Sequence, residues 1–455
     1  MTRAQLKNIR SFCAGLFIIC AAYLAYFYFA EAPNVAINPY NKRLTLAGPD
    51  IKRGKILSSG GDTLAETVYD GESETRVYPY GAAFAHIVGF DGPAASGAEA
   101  RYSLTLKTPD HEILRRTQNL LFGSELTGSS VALTLDTELQ LRCAELLGGR
   151  KGCILAAEIK TGKVLACVSG PGFDPESAAD AMDDPDSPLI NRAFTGLYPP
   201  GSVFKIVTAT AAMRYLEPEE LSYECASEDT FEGRTIRCYN KTAHGALDLK
   251  EAFAVSCNTY FARLAMLIGG EYLTKTAEDL LFNKKIDFGF EHVSGSFYIE
   301  EGNAALLAET GIGQGLTVTT PLHMAVLVSA AANGGVAMRP YILDHIVAQN
   351  RNVKGRTLPK TQKVLFSADE AENLMEMMRA VTERGTGRGA SPEGFAAAGK
   401  TGSAENPAGE AHGWFAGVAP ADGPKIAIVV LLENSGGSRG TLPIVNEIIG
   451  RYFEK

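Results

Sequence analysis

The sequence is poor in the residues and patterns that mark several classes of protein. Its 455 residues include one tryptophan and eight cysteines, too few for a fold held together by disulfide bonds. Acidic residues outnumber basic ones, 52 to 43, which gives a net charge of −9. Because an acidic surface repels phosphate backbones, we expect no nucleic-acid partner. The hydrophobic fraction of 45% excludes a disordered or fibrous chain and allows two or three domains.

Short motifs for metals, phosphates and hydrolase triads are missing or incomplete. No His-Glu-x-x-His or Cys-x-x-Cys pair occurs, which predicts no metal, and we expect no cofactor. The segment Gly311–Gly315 lacks the lysine of a phosphate-binding loop and predicts a tight turn before a helix. The segment Gly436–Gly440 fits Gly-x-Ser-x-Gly, but the last histidine, His412, precedes it. A hydrolase triad in the usual chain order therefore cannot be completed.

One long uncharged run, residues 11–30, predicts a membrane anchor. A helix of twenty residues just crosses a hydrocarbon core of about 30 Å. Arg3, Lys7 and Arg10 precede the run, so the positive-inside rule places residues 1–10 in the cytoplasm and the rest outside. The alternative is a cleaved signal peptide with Ala30-Glu31-Ala32 as its cleavage site, but its apolar region would be unusually long.

Six cysteines follow the anchor, and two of them bracket a short polar segment. Cys225 and Cys238 can close a loop through a disulfide bond if the compartment is oxidising. Equally, they can be ordinary thiols, since sequence alone does not determine cysteine pairing.

The chain after the anchor divides into two regions with different predicted secondary structure. Residues 31–130 contain short extended stretches broken by Gly, Pro and Asp, such as RVYPYGAAFAHIVGF, and predict a β-rich pedestal. Residues 131–455 begin as a strand and a helix capped near Asp136, and continue as a hairpin about Lys160–Lys163. Helices are then predicted, and two strands and a final helix end the chain. The predicted helices are Phe204 to Leu216, Lys250 to Leu267, Glu370 to Val381 and Leu442 to Tyr452. Strands at both ends with helices between them predict an α+β domain, a sheet closed by both chain ends.

The first chemically informative segment is Tyr198-Pro199-Pro200-Gly201-Ser202-Val203-Phe204-Lys205. The prolines and glycine favour an extended approach, and Ser202 opens a helix whose dipole favours negative charge on the serine oxygen. Lys205 lies one turn further along the same face and can activate the serine if its amine is neutral. Alone, the segment is more typical of a helix-capping serine followed by a surface lysine.

Two later segments complete an ordered set. Ser256 and Asn258 flank Cys257 and can supply a hydroxyl for proton relay and an amide for orienting a substrate, if they lie in a turn or at a helix break. In Lys400-Thr401-Gly402-Ser403, the two hydroxyls share one face of a strand, and Gly402 leaves room for a ligand. The same tripeptide at Lys160-Thr161-Gly162 lies at the predicted hairpin tip, so a single copy is weak evidence.

The order Ser-x-x-Lys, Ser-x-Asn, Lys-Thr-Gly is the signature of penicillin-binding proteins and serine β-lactamases. The chain resembles class B, monofunctional penicillin-binding proteins over most of residues 38–435, from NPYNKR to HGWFAGVAP. It departs from them at Val203, where threonine is common, and at Ser403, where many members have threonine. Neither change removes a required group.

The resemblance implies a peptidoglycan D,D-transpeptidase that β-lactams acylate. In such an enzyme Ser202 would be the nucleophile, Lys205 the general base, Ser256 the proton relay, and Lys400 an electrostatic partner that also takes part in the proton relay. Asn258, Thr401, Gly402 and Ser403 would bind the stem peptide that ends in D-Ala-D-Ala. An amine of a neighbouring stem would accept the acyl group. A membrane glycan polymerase is the implied partner.

Two other functions share features with this one. A β-lactam-hydrolysing or β-lactam-sensing homologue has the same three motifs, but a hydrolase needs no pedestal and a sensor needs a larger membrane part. A catalytically silent scaffold of a wall-synthesis complex is disfavoured because all the motif residues are intact.

Overall fold

The computed structural model describes residues 3–27, 51–70, 73–108, 126–300, 302–407 and 409–454. Several predicted features lie outside the described residues. They are residues 28–30 of the anchor, the Ala30-Glu31-Ala32 site, the NPYNKR segment, and residues 31–50 and 109–125 of the pedestal.

The first described element is the helix predicted from the apolar run. Helix α1 covers Arg3–Tyr26, and its stretch Lys7–Tyr26 is long and apolar enough to cross a membrane. Its large side chains, among them Phe12 and Phe17, are exposed, and none of the residues that the structure describes packs on them. An apolar helix with no protein partner fits a lipid surrounding better than water.

Strands and helices follow in the described segments. The strands are β1 Ile51–Lys52, β2 Ile56–Leu57, β3 Thr63–Asp70, β4 Ser73–Val77, β5 Leu126–Thr127, β6 Ser130–Leu133, β7 Gly152–Glu158, β8 Val164–Gly170, β9 Tyr223–Cys225, β10 Glu228–Phe231, β11 Arg234–Arg237, β12 Gly245–Leu247, β13 Val336–Met338, β14 Leu343–Val347, β15 Val353–Arg356, β16 Thr361–Val364, β17 Ala398–Ala404, β18 His412–Ala419 and β19 Ile426–Leu432. The helices after α1 are α2 Ala85–Val88, α3 Gly97–Arg101, α4 Ser103–Lys107, α5 Thr137–Leu147, α6 Lys205–Tyr215, α7 Leu249–Ala254, α8 Asn258–Asp279, α9 Ala304–Gly311, α10 Pro321–Ala332, α11 Ala368–Glu383 and α12 Leu442–Phe453.

A five-stranded antiparallel sheet organises the C-terminal part, in the order β17-β18-β19-β7-β8. Strand β19 pairs with β7, so the two ends of this part meet in one sheet, as predicted. Alternate residues of β19 enter two cores, because successive strand side chains point to opposite faces. Val429 packs with α10 on one face, and Ile428 packs with α5 and α12 on the other. Helices therefore flank both faces, which confirms the α+β class.

The pedestal region is built differently from its sequence-based interpretation. Its six-stranded sheet, β15-β14-β6-β2-β3-β4, includes two strands from residues 343–356 of the later chain. The expected extended stretch RVYPYGAAFAHIVGF is wrong in its second half, which forms a 3₁₀ turn, Gly81–Ala83, and helix α2. Burial on two sides explains the helix, since Ile87 and Val88 join the core that contains Phe84, and Ala85 packs in a smaller cluster with Phe173.

The predicted helix Lys250 to Leu267 is also wrong as one element, because it is broken in two. Helix α7 ends at Ala254 and α8 begins at Asn258. Ser256, between them, has a φ of 57°, a left-handed conformation that no helix continues. The side chain of Cys257 caps α8 by accepting from the N–H of Tyr260. The break places Ser256 and Asn258 at a junction between two helices.

Candidate active site

A tight turn presents Ser202 at the start of a helix. Residues Gly201–Phe204 form a 3₁₀ turn that leads directly into α6 at Lys205. Gly201 has a φ of 52°, and its N–H donates to the carbonyl of Gly313 at 2.9 Å. A Cβ on Gly313 would lie 1.9 Å from the Gly201 oxygen, so this approach requires glycine. The Gly311–Gly315 segment therefore supports the serine turn instead of binding phosphate.

A tryptophan fixes the chain before the turn. The indole N–H of Trp414, on β18, donates to the carbonyl of Pro199 at 3.1 Å. Trp414 is fully buried and packs against Tyr198 at a ring distance of 6.2 Å. No catalytic motif marks Trp414, although it is the single tryptophan of the chain and lies in a predicted strand.

Lys205 is buried and directed at the helix junction. Its amine donates to three acceptors: the Ser256 carbonyl at 2.8 Å, the Ser256 hydroxyl at 3.1 Å and the Asn258 Oδ1 at 2.8 Å. Burial lowers the pKa of Lys205 to about 8, because the charged form loses its hydration. At pH 7 about a tenth of these amines is therefore unprotonated.

Lys400 approaches the same hydroxyl from the opposite side. Its amine lies 2.9 Å from Ser256 Oγ and 3.1 Å from the carbonyl of Thr401. Burial lowers the pKa of Lys400 well below its ordinary value, and the neighbouring charge on Lys205 lowers it further.

Ser256 thus bridges two buried amines. One hydroxyl can accept a hydrogen bond from one amine while it donates to the other, provided the second amine is neutral. The depressed pKa of Lys400 favours this arrangement. Lys205, Ser256 and Lys400 form a continuous path for a proton.

Two phenylalanines line this lysine pair, and the sequence analysis missed both. The ring centroid of Phe261 lies 5.3 Å from the Lys205 Nζ, and the ring centroid of Phe253 lies 5.5 Å from the Lys400 Nζ. Their rings exclude water, which accounts for the burial that lowers the two pKa values.

The Lys-Thr-Gly segment forms the edge of the central sheet. Strand β17 is the outer strand, and its backbone packs beside the serine turn. A Cβ on Gly402 would lie 3.1 Å from the Pro200 oxygen, and one on Gly201 would lie 2.7 Å from the Ser403 oxygen. The motifs of residues 201–205, 256–258 and 400–403 therefore meet in one place.

The two hydroxyls of this strand have further polar partners. Thr401 Oγ1 lies 2.5 Å from the hydroxyl of Thr386, and Ser403 Oγ accepts from the N–H of Ser438 at 3.2 Å. Thr401 is buried, whereas Ser403 is exposed. Thr386 is an additional residue of the site that no sequence motif marks.

The second Lys-Thr-Gly copy lies elsewhere, as predicted. Residues 160–162 form the tip of the hairpin between β7 and β8, with a φ of 82° at Gly162. The hydroxyl of Thr161 donates to the carboxylate of Glu158. This copy contributes to a turn and has no contact with Ser256.

Comparison with known proteins agrees with this geometry. The sequence matches the family model of the penicillin-binding protein transpeptidase domain over residues 152–453, and that of the penicillin-binding protein A dimerisation domain over residues 53–131. The peptidoglycan D,D-transpeptidase PbpA of Mycolicibacterium smegmatis is 31% identical over 436 residues, which cover 89% of this chain and 88% of that protein.

Solved structures with the same fold include β-lactam complexes. Penicillin-binding protein A from M. tuberculosis, an imipenem acyl-enzyme complex, is 28% identical with a TM-score of 0.82, and the match covers 89% of this chain and 99% of that chain. The D,D-transpeptidase domain of a peptidoglycan glycosyltransferase from Eggerthella lenta is 28% identical with a TM-score of 0.81, at the same coverage. This chain belongs to the penicillin-binding protein transpeptidase family.

Proposed function

We propose that this protein is a serine D,D-transpeptidase that crosslinks peptidoglycan stem peptides and is acylated by β-lactams at Ser202. The observation that carries the proposal is the convergence of two buried amines on one hydroxyl beside the serine turn. Burial of an amine without a carboxylate partner destabilises the fold, and such amines are found mainly at sites where the neutral amine acts as a base. The acyl-enzyme complexes of the M. tuberculosis relative support the same chemistry.

Acylation begins with loss of the Ser202 proton. Neutral Lys205, three residues further along, accepts this proton while the serine oxygen attacks the carbonyl between the last two D-alanines. A pKa of about 8 suits this role, because such an amine is both available and basic near neutral pH. The start of the helix favours negative charge on the attacking oxygen.

Collapse of the tetrahedral intermediate requires a proton on the departing amine. Ser256 supplies it and is reprotonated from the lysine pair, since its hydroxyl lies within hydrogen-bond distance of both amines. The C–N bond breaks, D-Ala leaves with the proton, and the peptide remains as an ester of Ser202. An amine from a neighbouring stem then attacks the ester, which forms the crosslink and restores Ser202.

The oxyanion is bound by the backbone N–H groups of Ser202 and Ser403. Within one strand residue the N–H and C=O point to the same side, and the Ser403 carbonyl lies against Gly201. The Ser403 N–H therefore faces the serine turn from the free edge of β17. Loss of one such donor typically costs about 3 kcal/mol of transition-state stabilisation.

Substrate binding falls to the groups around this edge. The carboxamide of Asn258 is held by Lys205 and by the Arg237 carbonyl at 2.9 Å, and it orients the stem-peptide backbone. Thr401 and Ser403 bind the terminal carboxylate through their hydroxyls, while Gly402 keeps the strand accessible.

The same proposal assigns a role to each part of the chain. Residues 1–10 are the cytoplasmic tail, 11–30 the single membrane anchor, 31–130 the pedestal and 131–455 the transpeptidase domain, which lies outside the cell membrane. A membrane glycan polymerase supplies the strands to be crosslinked. The basic residues before α1 support this orientation.

The test uses the full chain in detergent with a stem peptide ending in D-Ala-D-Ala and an amine acceptor. We expect release of D-Ala and a crosslinked product from the wild type, and neither from Ser202→Ala. Ser222→Ala, at an exposed position outside the site, is the matched control and should match the wild type. Product formed by Ser202→Ala would overturn the proposal. Rapid turnover of penicillin without crosslinking would instead indicate a hydrolase.

A further inference from the structure

Three cysteines and one histidine meet directly behind the Ser256 junction. The Sγ atoms of Cys225 and Cys238 are 3.7 Å apart, and those of Cys238 and Cys257 are 3.6 Å apart. The Nδ1 of His244 lies 3.4 Å from Cys225 Sγ. All four ligand atoms lie within 4.8 Å of one another, and the three cysteines are buried.

The three spacings of 3.4 to 3.7 Å match a tetrahedral metal site and not a disulfide bond. Zinc bonds to sulfur at about 2.3 Å and to nitrogen at about 2.0 Å, which separates tetrahedral ligand atoms by about 3.5 to 3.8 Å. Disulfide sulfurs are about 2.05 Å apart. The structure leaves all eight cysteines, none of which falls in an undescribed segment, as free thiols, so the Cys225–Cys238 bond that the sequence left open is not formed here.

The fold brings the four ligands together from separate elements. Cys225 ends β9, and its pairing with Gly245 on β12 places His244 beside it. Cys238 follows β11, and Cys257 caps α8. This arrangement explains why the sequence pattern predicted no metal, since no two ligands lie within four residues of each other.

The surroundings supply donors for charged sulfur. The hydroxyl of Thr259 lies 3.3 Å from Cys225 Sγ and 3.4 Å from Cys257 Sγ, and the N–H of Tyr260 points to Cys257 Sγ at 3.5 Å. Hydrogen bonds from outer groups typically orient metal ligands and tune their basicity.

We propose that Cys225, Cys238, His244 and Cys257 bind one Zn²⁺ ion. Three sulfurs and one imidazole nitrogen in a closed tetrahedron suit zinc, whereas magnesium and calcium prefer oxygen ligands. The thiols release their protons to solvent as the three Zn–S bonds and the Zn–N bond form. The four protein ligands leave no open position, so the ion is structural.

The ion would hold the catalytic junction in place. Cys257 lies between Ser256 and Asn258, and the strained φ of Ser256 needs support from its neighbours. Asn258 Nδ2 also donates to the carbonyl of Arg237, the residue before Cys238. Two ligands are therefore adjacent in sequence to groups that position the proposed site, and this second role rests on the proposed transpeptidase function.

The binding test measures metal in the full chain. The protein is purified in detergent, loaded with Zn²⁺ alone, freed of loosely bound ions and analysed for zinc. We expect about one ion per chain, a tetrahedral thiolate spectrum after replacement by Co²⁺, and loss of both in Cys225→Ser and Cys238→Ser. Cys143→Ala, in the core beside α12, is the matched control and should retain zinc. A wild type without zinc after loading, or one with a Cys225–Cys238 disulfide, would overturn the proposal.

The positioning role has a separate readout. Removal of zinc from the wild type by a chelator should slow acylation by penicillin about 10- to 100-fold, and added Zn²⁺ should restore it. Ser202→Ala should retain the full zinc content, which separates metal binding from the proposed catalysis. An unchanged acylation rate in metal-free protein would contradict the positioning role.

Discussion

Buried cations occur in two regions of this protein with opposite chemistry around them. In the pedestal, Arg53 and Arg76 enclose the carboxylate of Glu99, with nitrogen–oxygen distances of 2.6 and 2.7 Å. In the site, Lys205 and Lys400 are fully buried, and in the described part of the chain neither forms a salt bridge. Their partners are a hydroxyl, a carboxamide and backbone carbonyls.

The two kinds of buried cation have different roles, since the arginines stabilise the fold and the lysines serve the proposed catalysis. The guanidinium–carboxylate pair of Arg76 and Glu99 holds β4 against α3, because removal of either partner would leave the other charge buried and unpaired. An unpaired buried amine is instead driven toward its neutral form, which makes it a base. The predictions below change one region and leave the other intact.

The largest effect is expected for Lys205→Met. The second-order rate of acylation by penicillin should fall about 10²- to 10⁴-fold, since the general base is lost. The melting temperature should stay the same or rise, because methionine has a similar volume and carries no buried charge. Stopped-flow acylation and a thermal melt measure the two quantities. A rate within about threefold of the wild type would show that the base is another group.

Arg53→Met should have the opposite pattern. It leaves Glu99 with one of its two guanidinium partners, and the free energy of unfolding should fall by about 3–5 kcal/mol. Acylation at temperatures where the variant remains folded should match the wild type. Denaturant titration together with the same acylation assay distinguishes these outcomes, and Arg53→Lys should recover part of the stability. Equal stability of Arg53→Met and the wild type would contradict the architectural role.

The acylation rate should depend on pH through Lys205. The neutral amine is the active form and its pKa is about 8, so the rate should rise with pH through that value. The expected increase between pH 7 and pH 9 is about tenfold. A flat profile would exclude a titrating base.

The smallest effect is expected for Trp414→Phe. This change keeps an aromatic side chain but removes the indole N–H and its hydrogen bond to the Pro199 carbonyl, and the lost bond costs about 1 kcal/mol. Because Pro199 leads into the serine turn, acylation should slow several-fold while the pedestal is unaffected. Thermal melts and acylation kinetics provide the check. A large loss of stability without slower acylation would place the role of this bond in the core alone.

Local sequence was sufficient for the three motifs but not for their surroundings. Ser202, Ser256 and Lys400 lie in short patterns whose chemistry is recognisable, and Asp136 caps α5 as expected. The choice between the two Lys-Thr-Gly copies needed the ordered set, since a tripeptide has the same local propensity at a turn and on a strand.

The remaining features depend on contacts distant in sequence. Strands β14 and β15 extend the pedestal sheet across about 200 residues, which no local pattern encodes. The break at Ser256 lies inside a run with helical periodicity, so the local sequence predicts a continuous helix. The two lysine amines that contact the Ser256 hydroxyl come from segments distant in sequence. The cysteine cluster likewise arises from four elements that pair only in the folded chain.

The most direct test of the account is the position of the β-lactam ester. Full-length protein treated with penicillin G, then digested and analysed by mass spectrometry, should carry one adduct, on the peptide that contains Ser202. Reaction at a lower pH, where Lys205 is protonated, should slow formation of the same adduct, and the adduct should stay on the same peptide. An adduct on Ser438, on Ser256 or on any other residue would contradict the central role of the buried lysine pair beside Ser202.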